Sequence, residues 1–127
     1  MVGIVIVSHS SKLAEGVVEV ARMTAPDVKI IAAGGTDDGR TGTSCRKIIN
    51  AVKKIYSDDG VAIIADIGSS ILSAEMAVEI LKRPKLKTID CPLVEGAVIA
   101  AIESQLDKSL EEIEKSAIRA RTIRKLA

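Results

Sequence analysis

One imidazole stands in the whole chain, His9, and it closes a short apolar run in Ile4-Val5-Ile6-Val7-Ser8-His9-Ser10-Ser11. A second run, Val61 to Ala65, closes on Asp66 and is followed by Ile67-Gly68-Ser69-Ser70. A carboxylate that accepts a hydrogen bond from one ring nitrogen fixes the tautomer and leaves the other nitrogen as a nucleophile. Surrounding amides and hydroxyls can hold the equatorial oxygens of a phosphoryl group in flight. A histidine so placed can accept a phosphoryl group and pass it on. Ser10, Gly35, Gly68, Ser69 and Ser70 are the candidate phosphate-holding residues. Asp66 has a second reading as a helix-start acid that satisfies backbone amides. The glycines have a second reading as tight-turn residues without ligand contact.

Other chemistries find little support. No Gly-x-Ser-x-Gly elbow and no second base are present for acyl hydrolysis. A Walker loop is missing, so no nucleoside triphosphate is expected to bind unaided. A receiver-type phosphoaspartate module needs an acidic pair after its first strand, where this chain has Ser8-His9. One His and two separated Cys, Cys45 and Cys91, supply no metal cluster, and the two thiols read as small buried hydrophobes. Lys plus Arg number 18 against 17 for Asp plus Glu, a net charge of +1 that argues against nucleic-acid and membrane-surface binding. The chain has no Phe, no Trp and one Tyr, so it lacks a stacking platform for single-stranded nucleic acid. No signal-peptide pattern begins the chain and no apolar run approaches a membrane span, so a cytoplasmic protein is expected.

The elements that must position His9 and Asp66 follow from periodicity. At 127 residues the chain is expected to form a single domain, 1–127. Its core must be Ile, Val, Leu and Ala, the residues of buried parallel strands. Val2–Val7, Val28–Ala33 and Val61–Ala65 read as strands, and Leu86–Cys91 as a weaker, alternating edge strand. Leu13, Val17, Val20 and Ala21 stripe a first helix, ended by Pro26. Cys45, Ile48, Ile49, Val52 and Ile55 stripe a second. Ile71–Leu81 is a third, a fourth runs from Pro92 to about Leu106, and a fifth begins near Asp107 with capping-box spacing between Ser109 and Glu112. Five cations without an acid end the chain from Lys115 onward, either as a solvated helix end or as a docking or dimer-packing surface. Glu95 reads as a first-turn acid or as part of a docking surface.

Strand and helix alternate throughout, which gives an α/β three-layer sandwich with a mainly parallel sheet of about four strands and helices on both faces. Right-handed crossovers with one reversal give the flavodoxin-like order 2-1-3-4. In that order the first and third strands are neighbours, and the crevice between their carboxyl ends holds both His9 and Asp66.

Four blocks in order carry a family resemblance: Ile4 to Ser11; Gly34-Gly35 with Gly42-Thr43-Ser44; Asp66 to Ser70 with Ser73-Ala74-Glu75; and Pro92 to Gly96. Together they resemble the phosphotransfer subunit of phosphoenolpyruvate-dependent dihydroxyacetone kinase, itself similar to mannose-type enzyme IIA domains of sugar transport. The resemblance covers about the first hundred residues. It implies a phosphotransferase component with a phosphohistidine intermediate. The phosphoryl group comes from the histidine-containing phosphocarrier protein to the position of His9, which Asp66 orients. It goes on to ADP held in the kinase's nucleotide-binding subunit, so no cofactor is bound directly and ADP/ATP belongs to the partner. The resemblance also implies a homodimer. Ser8 and Ser10 flank His9 where transport-type domains carry threonine and glycine, which favours the kinase branch. A transport IIA component and a non-catalytic anion-sensing module on the same fold are the alternatives.

Overall fold

A computed structural model describes all residues, 1–127. Strands β1 (Gly3–Ser8), β2 (Ile30–Gly34), β3 (Val61–Ala65) and β4 (Leu86–Ile89) alternate with helices α1 (Ser11–Thr24), α2 (Cys45–Ile55), α3 (Ser69–Leu81), α4 (Leu93–Gln105) and α5 (Leu110–Ile118). The four strands form one sheet in the order β2-β1-β3-β4. Every pairing is parallel, with Val7 opposite Ala33 on one side and Ala65 on the other. The expected topology is therefore the observed one. Because β1 and β3 are hydrogen-bonded neighbours in register, the residues that follow them emerge side by side.

β1 and β3 are buried along their whole length, which is why both are almost continuous apolar runs rather than alternating ones. Helices α1, α4 and α5 cover one face around Ile4, Ile6, Ile64 and Ile89. Helices α2 and α3 cover the other, around Val5, Val7, Ile63 and Ile48. The helices owe their close seating to small residues: Ala14, Ala21, Ala74, Ala77, Ala97 and Ala100 are all fully buried. No helix is long and apolar enough to cross a membrane.

Strand boundaries differ from the sequence expectation by one or two residues in β1, β2 and β4. β2 begins at Ile30 instead of Val28, although Lys29 already gives its carbonyl to the Ile4 amide. β4 stops at Ile89, because Asp90 and Cys91 turn the chain into Pro92, which precedes α4 in an extended conformation. The Ser109–Glu112 capping box forms as expected, both reciprocal bonds being present.

The two edges of the sheet are treated differently. The Ile4 amide bonds the Lys29 carbonyl and the Gly35 amide bonds the Ser8 carbonyl, so alternate residues Ile30, Ala32 and Gly34 turn their peptide groups outward. Arg22 takes the outward carbonyl of Ile30 and Lys47 takes that of Gly34. Cations thus blunt the β2 edge.

Glycine serves close approach at Gly34. A Cβ there would stand 2.6 Å from the Ser10 carbonyl oxygen and 2.8 Å from the Ser11 Cα. Gly16, on the exposed face of α1, has nothing within 4 Å of a Cβ. Urea denaturation should therefore separate the two. Gly34→Ala is expected to lose about 1–3 kcal/mol by forcing the first loop off the sheet. Gly16→Ala is expected to gain about 0.5–1 kcal/mol from lower backbone entropy in the unfolded chain.

Candidate functional site

β1 delivers Ser8 and His9, and β3 delivers Asp66, to one crevice at the carboxyl ends of the sheet. Ser8 is a fully buried polar residue at the end of an apolar strand. Its hydroxyl donates to Asp66 Oδ2 at 2.8 Å and accepts from the Ser10 amide at 3.0 Å. The His9 amide also donates to Oδ2, at 3.0 Å. On the other oxygen, Oδ1, the His9 ring Nδ1 lies at 3.0 Å and the Ile67 amide at 2.7 Å. The carboxylate thus collects four donors from two different connections.

Burial opposes ionisation of Asp66. The hydrogen bonds around it outweigh burial and hold the carboxyl well below its ordinary value of 3.8. The amides of His9 and Ile67 and the Ser8 hydroxyl are its donors; the Ser70 hydroxyl lies close by, but its one proton is spent on the Ile67 carbonyl at 2.7 Å. An ionised carboxylate is an acceptor only, so the shared proton sits on Nδ1 and Nε2 carries the lone pair. The His9 side chain is 31% exposed and that of Asp66 12%, so the ring reaches solvent while its orienting group does not. At Nε2 the Ser69 hydroxyl stands 2.7 Å away and donates to the lone pair.

The candidate phosphate-holding residues fall into two groups. Gly68 and Ser69 form the start of α3 beside Nε2. Gly68 has φ +39, its surroundings are open, and no carbonyl takes its amide or that of Ser69. Free amides at a helix N-terminus favour an anion. Ser10, Gly35 and Ser70 are committed elsewhere. Ser10 caps α1, its hydroxyl accepting from the Leu13 amide at 3.2 Å. The Gly35 amide donates to the Ser8 carbonyl, in a turn whose φ of +75 suits glycine. Ser70 is fully buried, with its hydroxyl on the Ile67 carbonyl. Gly35 and Ser70 therefore shape the crevice instead of lining it with free donors, whereas the Ser10 hydroxyl, an acceptor at its cap, still has its own proton to give. The loop after β2 forms the other wall: the Gly42 amide donates to the His9 carbonyl at 2.8 Å, and the Thr43 and Ser73 hydroxyls meet at 2.8 Å.

Sequence reasoning passed over Ser8 as a member of the site. The available signal was a hydroxyl residue continuing a strand that is apolar on both faces. The two cysteines are half-buried free thiols. Burial and the neighbouring Asp90 push the Cys91 thiol up to about 11, and its Sγ sits against Gly96, where a Cβ would come within 2.2 Å. Glu95 lies in the first turn of α4 and pairs with Lys125. Arg121 of the basic end pairs with Asp90.

A doubly covered parallel sheet with a histidine and an orienting aspartate at its switch point defines a class of α/β phosphotransfer domain. The family model for EIIA-man, the PTS system fructose IIA component, matches residues 3–114, and the chain belongs to that family. It is 44% identical over 117 residues to phosphoryl donor subunit DhaM of PEP-dependent dihydroxyacetone kinase 2 from Listeria innocua, covering 89% of this chain and 94% of the relative. It is 38% identical over 120 residues to the corresponding subunit of Escherichia coli, of which the match spans 25%. Among solved structures, one of a protein of unknown function aligns with a TM-score of 0.84 at 31% identity, over 94% of this chain and 95% of that one. The phosphotransferase system component EIIA from Streptococcus agalactiae aligns with a TM-score of 0.70 at 12% identity, over 96% and 93%, and shares the fold.

Asp66→Asn tests the carboxylate. An amide offers one acceptor oxygen where the site presents four donors, so one face must meet N–H with N–H. Turned toward the ring, the amide N–H₂ favours the tautomer with the proton on Nε2, which removes the nucleophile. Loss of stability is expected, and its pH profile is set by sign. The folded-state pKa is depressed, so the stabilisation is present above the unfolded value of 3.8 and disappears as pH falls through the folded one. The stability difference between wild type and variant should therefore be constant from about pH 5 to 8 and shrink below about pH 4. A difference that grows on acidification would contradict this assignment.

Proposed function

We propose that this chain is the phosphoryl donor subunit of a phosphoenolpyruvate-dependent dihydroxyacetone kinase, with His9 as the residue that carries the phosphoryl group. The observation that carries the reading is the hydrogen bond from His9 Nδ1 to an ionised Asp66, which leaves Nε2 as the free nucleophile at the mouth of the crevice. The names of the relatives support the kinase setting.

In the first step the Nε2 lone pair attacks the phosphorus of a phosphohistidine on the histidine-containing phosphocarrier protein. An N–P bond forms to His9 as the donor's N–P bond breaks, and the donor imidazole leaves with its electron pair. Asp66 keeps the Nδ1 proton in place and stabilises the ring as it gains positive character. The Ser69 hydroxyl must leave the lone pair as phosphorus arrives. It then lies within reach of a phosphoryl oxygen, together with the unpaired amides of Gly68 and Ser69. In the second step the process reverses toward the β-phosphate of ADP bound in the kinase's nucleotide-binding subunit. The chain holds no nucleotide itself and acts as a homodimer.

Intact mass after incubation with phosphoenolpyruvate, enzyme I and the phosphocarrier protein tests the assignment. The chain should gain one phosphoryl group that is lost in acid, as phosphoramidates are. His9→Ala should fold and gain nothing; a His9→Ala protein that is still phosphorylated would falsify the role of His9. Label from the phosphoprotein should move to ADP on the nucleotide subunit, and neither to free ADP nor to a sugar-transport IIB domain. Transfer to the IIB domain alone would place the chain in the transport branch.

A further inference from the structure

We infer that the hydrogen bond between Thr43 and Ser73 is a latch that holds the two walls of the crevice at one separation around His9, which makes both residues positioning residues for phosphoryl transfer. This role rests on the proposed function of His9 as the phosphoryl carrier.

The segment between β2 and α2 is built as one body. Thr36 is its hub. The Thr36 amide donates to the Arg40 carbonyl at 2.9 Å, its carbonyl accepts from the Gly39 amide at 3.1 Å, and its hydroxyl accepts from the Arg40 amide at 3.0 Å. Ser44 closes the far end, its hydroxyl donating to Asp37 at 2.6 Å while it caps α2. Glycines make the turns, with φ of +85 at Gly39 and +139 at Gly42. This body grips the backbone of His9, because the Gly42 amide donates to the His9 carbonyl at 2.8 Å.

Helix α3 grips the ring of the same residue. The Ser69 hydroxyl stands 2.7 Å from Nε2. Ser73 lies four residues on, one turn further along the same side of the helix. Its hydroxyl meets that of Thr43 at 2.8 Å, the one hydrogen bond between the 35–44 segment and α3. The contacts therefore close a ring that runs from the His9 carbonyl through Gly42, Thr43, Ser73 and Ser69 back to Nε2. Other hydroxyls of this rim cap helices or close turns. Those of Thr43 and Ser73, both half-buried, have no partner but each other. Without their bond the glycines let the loop swing about its β2 and α2 ends, and the group that holds the backbone of His9 no longer moves with the group that holds its ring. Transfer is sensitive to such slack, since ~1 Å of misplacement costs about 10²-fold in rate.

Two phosphoryl donors test the latch. One is the phosphocarrier protein, itself phosphorylated by enzyme I and phosphoenolpyruvate. The other is phosphoramidate, a small donor that needs no docking surface. With it the N–P bond to His9 Nε2 forms as ammonia leaves with the electron pair of the broken N–P bond. Rates are read by rapid quench and intact mass. Thr43→Val and Ser73→Ala should each slow the reaction with both donors about 10-fold or more. The double variant should be no slower than the slower single one, since either change removes the whole bond. Thr43→Ser should restore the wild-type rate. Amide exchange needs no phosphorylation at all: Gly42 should exchange about 10-fold faster in Thr43→Val, while Ile6 and Ile63 in the core keep their protection.

Single variants that match wild type with both donors, or losses that multiply in the double variant, overturn the inference. So does a loss confined to the phosphocarrier protein, which would make the pair part of a docking surface. If the phosphocarrier protein fails to phosphorylate even the wild type, the proposed donor is wrong, and the phosphoramidate rates with the Gly42 exchange decide the latch alone.

Discussion

Four hydrogen bonds converge on the Asp66 carboxylate, and the site depends on them. Two come from the end of β1 through Ser8 and the His9 amide, one from the His9 ring, and one from the Ile67 amide just past β3. Each donor compensates for taking a carboxylate out of water. The same bonds tie two strand ends together at the place where the chain must also turn into two helices. Ionisation of Asp66 and the ring's tautomer are thus one event: the donors keep the acid charged, and the charged acid decides which nitrogen is free.

That arrangement requires β1 and β3 to lie side by side at close quarters. The parallel backbone ladder between the two strands sets that spacing. Ile and Val fill the sheet, while alanines at the helix contacts let α1 and α4 approach on one face and α2 and α3 on the other. Gly34 extends the same economy of volume to the rim, where the first loop passes over the end of β2 within the space a methyl group would occupy. The walls of the crevice are turns and helix starts, so hydroxyls and backbone amides line it.

Serines crowd this rim, and they do different work according to where their backbone puts them. Ser8 orders the carboxylate. Ser10 and Ser70 hold the first turns of α1 and α3 in place. Ser69 alone presents its hydroxyl to the reacting nitrogen. A run of hydroxyl residues near a nucleophile is therefore a poor guide to ligand contact, since caps and turns consume most of them.

Much of the fold was legible along the chain. Apolar runs of strand length, helical stripes between them, and one reversal of direction define the sheet order, because handedness leaves few other topologies. His9 and Asp66 could be paired from the same logic, as both end strands that the topology makes neighbours. Three things were left to tertiary structure. The strand ends of β2 and β4 were set by hydrogen bonds and a proline turn that hydrophobicity does not register. Ser8 acquired its role because alternation along β1, fixed by pairing on both sides, turned its hydroxyl toward a carboxylate 58 residues away. Which serines and glycines keep a free donor depended on where each first turn begins, and a shift of one residue exchanges a cap for a ligand. Sequence carries the identity and order of these groups, but their hydrogen-bond partners come from distant segments and exist only once the sheet has closed.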